Sequence, residues 1–220
     1  IDPHIVTGVP EHHILISLCE GLTIPNPFGD GNLPGAAESW QISEDGMEYI
    51  FNLRKNAKWS NGDDVTAEDF VWSWQRILTA SLGSQYPDML YYLVGAAEYH
   101  AGEINDFSEV GVKALNKYTL KVSLKAPTPF FIGMLSHYST WPVHKDTVLE
   151  HGSIDDRNGQ WTRPGNFVCN GAFNLKSWEL NNKIIVEKNP NYWDASNVKL
   201  NQIHFVLHYH RRARLVAFDA

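Results

Sequence analysis

Three histidines near the end of the chain, His204, His208 and His210, are its best metal-like feature. On an extended strand alternate residues share a face, so the three would point the same way. His208 and His210 would stand about 7 Å apart by the rise of a strand, near enough to share one ion. His204 would lie roughly 13 Å from His208 and would need a bend to join them. Zinc or nickel would require a third ligand from elsewhere; the plainer reading is the polar face of an edge strand. Carboxylate pairs occur at Asp63-Asp64, Glu68-Asp69 and Asp155-Asp156. The first two fit a turn and the start of a helix better than a general acid and base. His12, His13, His100, His137, His144 and His151 read as surface or internally satisfied polar residues. Cys19 and Cys169 are either a disulfide of an oxidising compartment or two buried thiols.

The motifs of common catalytic sites are missing. There is no G-x-G-x-x-G after a strand and no G-x-x-x-x-G-K-[ST] for phosphates. G-x-S-x-G and H-E-x-x-H are absent too. A hydrolase remains the weakest of the readings, no enzyme is expected, and no cofactor is expected.

The elements around these residues follow from punctuation and periodicity. Pro10 and Glu11 open a helix whose apolar positions are Ile14, Leu15, Leu18, Cys19 and Leu22, with Gly21 at its end. Residues 23–36, rich in Pro, Gly and Asn, read as a loop without a periodic element. Tyr49–Leu53 is a short strand that runs into a turn at Asn61-Gly62-Asp63-Asp64. Thr66 then caps a helix with Phe70, Val71, Trp74 and Leu78 on its buried stripe. Tyr118–Leu124 alternates as a half-buried strand, and Phe130, Phe131, Met134 and Leu135 suggest a helix after Pro127 and Pro129. Phe173–Leu180 and Lys183–Glu187 form a hairpin about Asn181-Asn182. Ile203–His208 is a further strand. The fold class is α/β or α+β with a mixed sheet.

Composition narrows the partners. The chain has 220 residues, 43% hydrophobic and 20% charged, and a formal net charge of −7. That balance suits a globular protein. An acidic chain whose densest basic run is Arg211-Arg212-Ala213-Arg214 argues against nucleic acid. No stretch approaches the length of apolar sequence that a membrane span requires. The chain opens on Ile1-Asp2-Pro3-His4 without a leader and closes on Leu215–Ala220 without a stop signal, so a fragment at both ends is expected.

One long gapless run, Leu53-Arg54-Lys55-Asn56-Ala57-Lys58-Trp59-Ser60-Asn61-Gly62-Asp63-Asp64-Val65-Thr66-Ala67-Glu68-Asp69-Phe70, resembles the signature of the family 5 solute-binding proteins of ABC importers. Ile1–His4, Gly8–Glu11, Cys19–Leu22, Val71–Arg76, Gly111–Leu115, Asn170–Phe173 and Asn189–Asp194 resemble the oligopeptide receptors of that family, in the expected order. The resemblance implies a periplasmic-binding-protein-like type II lobe with an extra inserted domain. Residues 1–19 and 144–220 would form the first lobe, residues 20–143 the extra domain, and the second lobe would be missing. It implies an extracytoplasmic receptor, periplasmic or a lipoprotein, with two partners: an oligopeptide ligand and a membrane ABC permease.

The resemblance also implies site residues. The ligand would be held as an added strand by main-chain hydrogen bonds along a first-lobe strand at Thr7-Gly8-Val9, with Tyr86 facing it from the extra domain. The family often has an acidic residue where Thr7 stands, and that departure leaves ligand preference open. The family's anchors for the peptide termini belong to the second lobe, so this stretch alone is expected to bind peptide weakly or not at all. A monomer is expected. A nickel or metal-chelate receptor of the same fold is the alternative, with His208 and His210 as its local support. The two cysteines match none of the family's, and both would face the first-lobe core.

Overall fold

The structure, a computed structural model, describes residues 1–206 and 214–218. The chain enters helix α1 (Val9–Leu18) through an extended Gly8 (φ −96°, ψ 153°), with Pro10 in the first turn. Pro fits there because the first turn has no intrahelical partner for its missing N–H. Thr7 and Gly8 are therefore the approach to a helix that Val9 begins, rather than part of the strand expected. Residues 23–36 also differ from expectation: β1 (Thr23–Pro25) and β2 (Asn32–Pro34) pair antiparallel. Strands of three residues, full of Pro and Asn, carry too little alternation to be read from sequence.

A four-stranded sheet follows in the order β3 (Ala37–Ile42), β4 (Glu48–Leu53), β6 (Thr119–Ser123), β5 (Val112–Asn116). Helix α2 (Ala67–Leu78) crosses between β4 and β5 in sequence and packs on β5. Its start is fixed by Thr66, whose backbone N–H and hydroxyl both donate to the Asp69 carboxylate at 2.7 and 2.9 Å. Short helices α3 (Ala96–Ala101), α4 (Phe131–Met134) and α5 (Lys145–Glu150) complete the helical set. The second sheet runs β10 (Arg214–Phe218), β9 (Gln202–Val206), β8 (Lys183–Lys188), β7 (Phe173–Glu179). Its β7–β8 turn holds Asn181 at φ 58°, a left-handed conformation that Asn tolerates. Every strand pairing among the described residues is antiparallel, so the mixed sheet expected is not seen. Hairpins and one helical crossing join antiparallel strands, and none of these connections requires a parallel pair.

Two hydrophobic clusters result. The first joins Phe51, Leu53, Leu120 and Val122 of the sheet to Phe70, Trp74 and Ile77 of α2. The second joins Leu15 and Leu18 of α1 to Trp161, Phe173, Leu175 and Val186. Trp72 belongs to the second cluster although its neighbour Trp74 belongs to the first. Residues two apart on a helix face roughly opposite sides, so α2 contributes to both cores.

Candidate functional site

The approach to α1 is held in place by a buried polar network. Arg76, fully buried on α2, donates to both carboxylate oxygens of Asp2 at 3.0 and 2.5 Å. It also lies 3.0 Å from His4 Nδ1, while His4 Nε2 lies 3.0 Å from the Trp141 carbonyl oxygen. An arginine donor on one nitrogen and a carbonyl acceptor on the other define a neutral imidazole with its proton on Nε2. Burial and the Arg76 charge push His4 down to about 4. Burial would raise the Asp2 carboxyl, but the charge and hydrogen bonds of Arg76 outweigh it and hold it below its ordinary value. Five residues after Asp2 the chain is on the surface, so this lock sets where the Thr7 backbone emerges.

Thr7 and Val9 are exposed and Gly8 is half-buried. Glu11, in the first turn of α1, folds its carboxylate back over Gly8, where any Cβ would meet it. A negative charge is favoured at a helix N-terminus. An acidic group thus lies beside the 7–9 segment even though residue 7 is threonine.

A row of rings runs from α1 to Tyr86. His12 on α1 lies 5.6 Å from the Tyr138 ring, and Tyr138 lies 6.1 Å from Tyr86 in an edge arrangement. His137 sits 4.1 Å from Tyr138 and 5.2 Å edge-on to Tyr86. Tyr138 is buried, whereas Tyr86, His137 and His12 are half-buried, so the row has a floor and an open side. His137 Nδ1 accepts from the Ser139 backbone and approaches the Ser139 hydroxyl at 2.8 Å, which leaves the proton on Nε2. Burial and the neighbouring His12 lower His137, opposed by Asp88; burial and His13 lower His12. Burial, then Tyr86 beside it, pushes the Tyr138 hydroxyl up to about 12. Reading His12 and His137 as ordinary polar residues missed this cluster. Its signal is the convergence of three sequence-distant segments, which no local spacing reveals.

The remaining expectations divide. Cys19 and Cys169 are both free and buried, so the disulfide considered from sequence is not formed in the structure. The Cys169 thiol donates to the Phe173 carbonyl oxygen at 3.4 Å, and burial pushes it up to about 12. Thiols in such surroundings stay protonated and inert. His204 is half-buried on β9 beside Gln202, 3.3 Å from its side-chain oxygen. His208 and His210 lie outside the described residues. Among the described residues no group of three ligating side chains could hold a metal ion. No helix among them is long and apolar enough to cross a membrane.

A second buried carboxylate joins the two cores. Glu20 accepts from the Tyr192 hydroxyl at 2.5 Å and from Trp193 Nε1 at 2.9 Å. Arg54 stacks 3.6 Å above the Trp193 ring. Burial raises Glu20 to about 7 against these donors. Asn170 adds a reciprocal pair, accepting from the Glu20 backbone N–H at 3.0 Å and donating to its carbonyl at 2.8 Å.

Comparison with known proteins places this geometry. The profile of Bacterial extracellular solute-binding proteins, family 5 Middle matches residues 33–220. The chain is 41% identical over 208 residues to the periplasmic oligopeptide-binding protein OppA of Escherichia coli (strain K12), covering 94% of this chain and 37% of that protein. It is 37% identical to the probable deoxycholate-binding periplasmic protein YgiS of the same strain, again over 94% of this chain and 37% of the relative. Among solved structures, Haemophilus influenzae OppA in complex with RPPGFSPFR superposes with a TM-score of 0.86 at 36% identity, covering 93% of this chain and 39% of that one. A periplasmic oligopeptide-binding protein from Borrelia burgdorferi gives a TM-score of 0.88 at 36% identity, covering 95% of this chain and 41% of that one. The chain thus spans well under half the length of the relatives it matches. With the profile covering most of its residues, the chain belongs to the bacterial extracellular solute-binding proteins of family 5.

Proposed function

We propose that this chain is part of an extracytoplasmic receptor that captures oligopeptides and delivers them to a membrane ABC permease, by binding and without catalysis. The observation that carries the reading is the 41% identity to an oligopeptide-binding protein over 94% of the chain. The geometry supports it locally. Thr7 is exposed and Gly8 extended at the entry to α1, and Tyr86 lies at the far end of the ring row that starts from His12 on α1. An extended peptide added along residues 7–9 would draw affinity from main-chain hydrogen bonds and leave its side chains to the surrounding walls. We read the first hydrophobic cluster as the extra domain, residues 20–143, and the second as the first lobe, residues 1–19 and 144–220. Trp72, Tyr138, Trp141 and Val143 then belong to the seam between them. In this reading the receptor is a periplasmic protein or an anchored lipoprotein, and works as a monomer.

Calorimetry with synthetic peptides of two to five residues tests the proposal. The full natural polypeptide that carries this chain should bind at least one peptide class with micromolar or tighter affinity, a free energy of about −8 kcal/mol or better. The 220-residue stretch alone should bind weakly, because the water-excluding enclosure of the ligand is incomplete. Tight binding of deoxycholate with no response to any peptide would replace the peptide reading with a bile-acid one.

A further inference from the structure

Three asparagines stand directly before glycine: Asn61-Gly62, Asn158-Gly159 and Asn170-Gly171. Such a pair can react with itself, because glycine has no Cβ to shield its nitrogen from the asparagine side chain. The reaction needs a side-chain amide free to swing onto the backbone, and a glycine N–H that no acceptor holds. Two of the pairs fail both conditions. The Asn61 amide donates to Asp63 Oδ2 at 2.6 Å and accepts from the Asp63 backbone at 3.1 Å, while Gly62 N–H donates to the Trp59 carbonyl oxygen at 2.9 Å. Asn170 is buried, both ends of its amide are bonded to the Glu20 backbone, and Gly171 N–H donates to the Leu18 carbonyl oxygen at 2.8 Å. Asn158 differs. It is exposed, its backbone N–H donates to Asp156 at 2.8 Å, and its carbonyl oxygen accepts from Gln160 Nε2 at 2.9 Å. Among the described residues neither its side-chain amide nor the Gly159 N–H has a hydrogen-bond partner.

We propose that Asn158 is a site of spontaneous covalent modification, where conversion to isoaspartate loosens the chain's hold on the turn after α2. The Gly159 nitrogen loses its proton and attacks Asn158 Cγ. A C–N bond forms, the Cγ–Nδ2 bond breaks, and the side-chain nitrogen departs as ammonia with the proton that Gly159 gave up. The cyclic imide left behind then adds water at either carbonyl. Opening on one side gives aspartate, and opening on the other gives isoaspartate, whose main chain runs through Cβ. Both products carry a new carboxylate, but only isoaspartate lengthens the backbone. The lengthened position directly follows Arg157. Arg157 Nη1 donates to the carbonyl oxygens of Leu82 and Gly83 at 2.7 and 2.6 Å, and the Ser81 hydroxyl donates to Asp155 at 2.7 Å. These bonds pin Ser81, Leu82 and Gly83 to the loop that carries Asn158. Hydrogen bonds weaken steeply once their angles are lost, so an added backbone carbon beside Arg157 undoes the grip.

The test ages the full natural polypeptide, folded, in warm and mildly alkaline buffer. Each Asn-Gly pair is followed by peptide mass spectrometry, with fragmentation that separates isoaspartate from aspartate. Asn158 should exchange NH2 for OH several-fold faster than Asn61 or Asn170. In urea the three should convert at similar rates, because the fold no longer holds two of them. Gly159→Ala should slow the conversion of Asn158 in both states, since its Cβ shields the nitrogen and φ −52° accepts alanine. Hydrogen exchange at residues 80–84 should be faster in the isoaspartate form. Asn158→Asp adds the charge without the extra backbone carbon, and should leave that exchange near wild type. Conversion of Asn61 or Asn170 as fast as Asn158 in the folded protein would overturn the assignment. The same order of rates in urea would overturn it too, by tracing the preference to sequence rather than fold. Unchanged exchange at residues 80–84 in the isoaspartate form would overturn the effect on the turn.

Discussion

Arg76 shows how much one residue can decide. It is fully buried, it neutralises Asp2, and it fixes the tautomer of His4, so the first four residues are committed to α2 before the candidate ligand segment begins. Removing one partner of a buried pair leaves an uncompensated charge and costs about 3–5 kcal/mol. Asp2→Asn should therefore lower stability by that order, read as a drop in urea midpoint. The adjoining His4 gives a pH signature. Its folded value of about 4 lies below its unfolded value of 6.5. The contribution of neutral His4 is complete above 6.5 and is lost as pH falls through about 4. Stability of the wild type should fall over that window more than that of His4→Asn, measured by urea unfolding at a series of pH values. Glu20 has the opposite sign. Its folded value of about 7 lies above its ordinary 4.5, so its contribution is complete below 4.5 and is lost as pH rises through about 7. Glu20→Gln should flatten the decline of the urea midpoint on the alkaline side. A variant as pH-dependent as the wild type there would show that the Tyr192 and Trp193 donors already hold the ionised form.

The elements separate what local chemistry announces from what only the tertiary fold decides. The run from Leu53 to Phe70 was legible because each step has a local cause. Leu53 ends a strand, Trp59 is buried, Asn61 and Gly62 turn the chain, and Thr66 with Asp69 starts α2. The β7–β8 hairpin was legible for the same reason, through Asn181. Strand β3 was not, because only its first residue is buried and its polar side chains hide the period. The strand expected at residues 7–9 came from family resemblance, whereas Val9 already begins α1 and Pro10 lies in its first turn. Close packing between elements leaves a test that sequence periodicity does not supply. A Cβ at Gly171 would lie 2.5 Å from the Leu18 carbonyl carbon and 2.7 Å from Cys19 N. Gly171→Ala should push α1 away from the segment leading into β7 and cost about 1–3 kcal/mol in thermal or urea unfolding.

At the scale of the whole molecule, two cores meet along α2, the Glu20 network and the ring row of Tyr86, His137 and Tyr138. The ligand face proposed here lies on that seam, so residues from either core can shape it. Little of that face was readable from the chain: Tyr86 and residues 7–9 came from family resemblance. The histidines came only from the folded contact of α1 with the turn after α4. The claim that the face serves peptide capture is tested most directly by native mass spectrometry of the full natural polypeptide, purified without refolding and then mildly denatured. The account predicts a heterogeneous added mass of several hundred daltons that is released as short peptides. A single small mass, whether a metal ion or a bile acid, would contradict it.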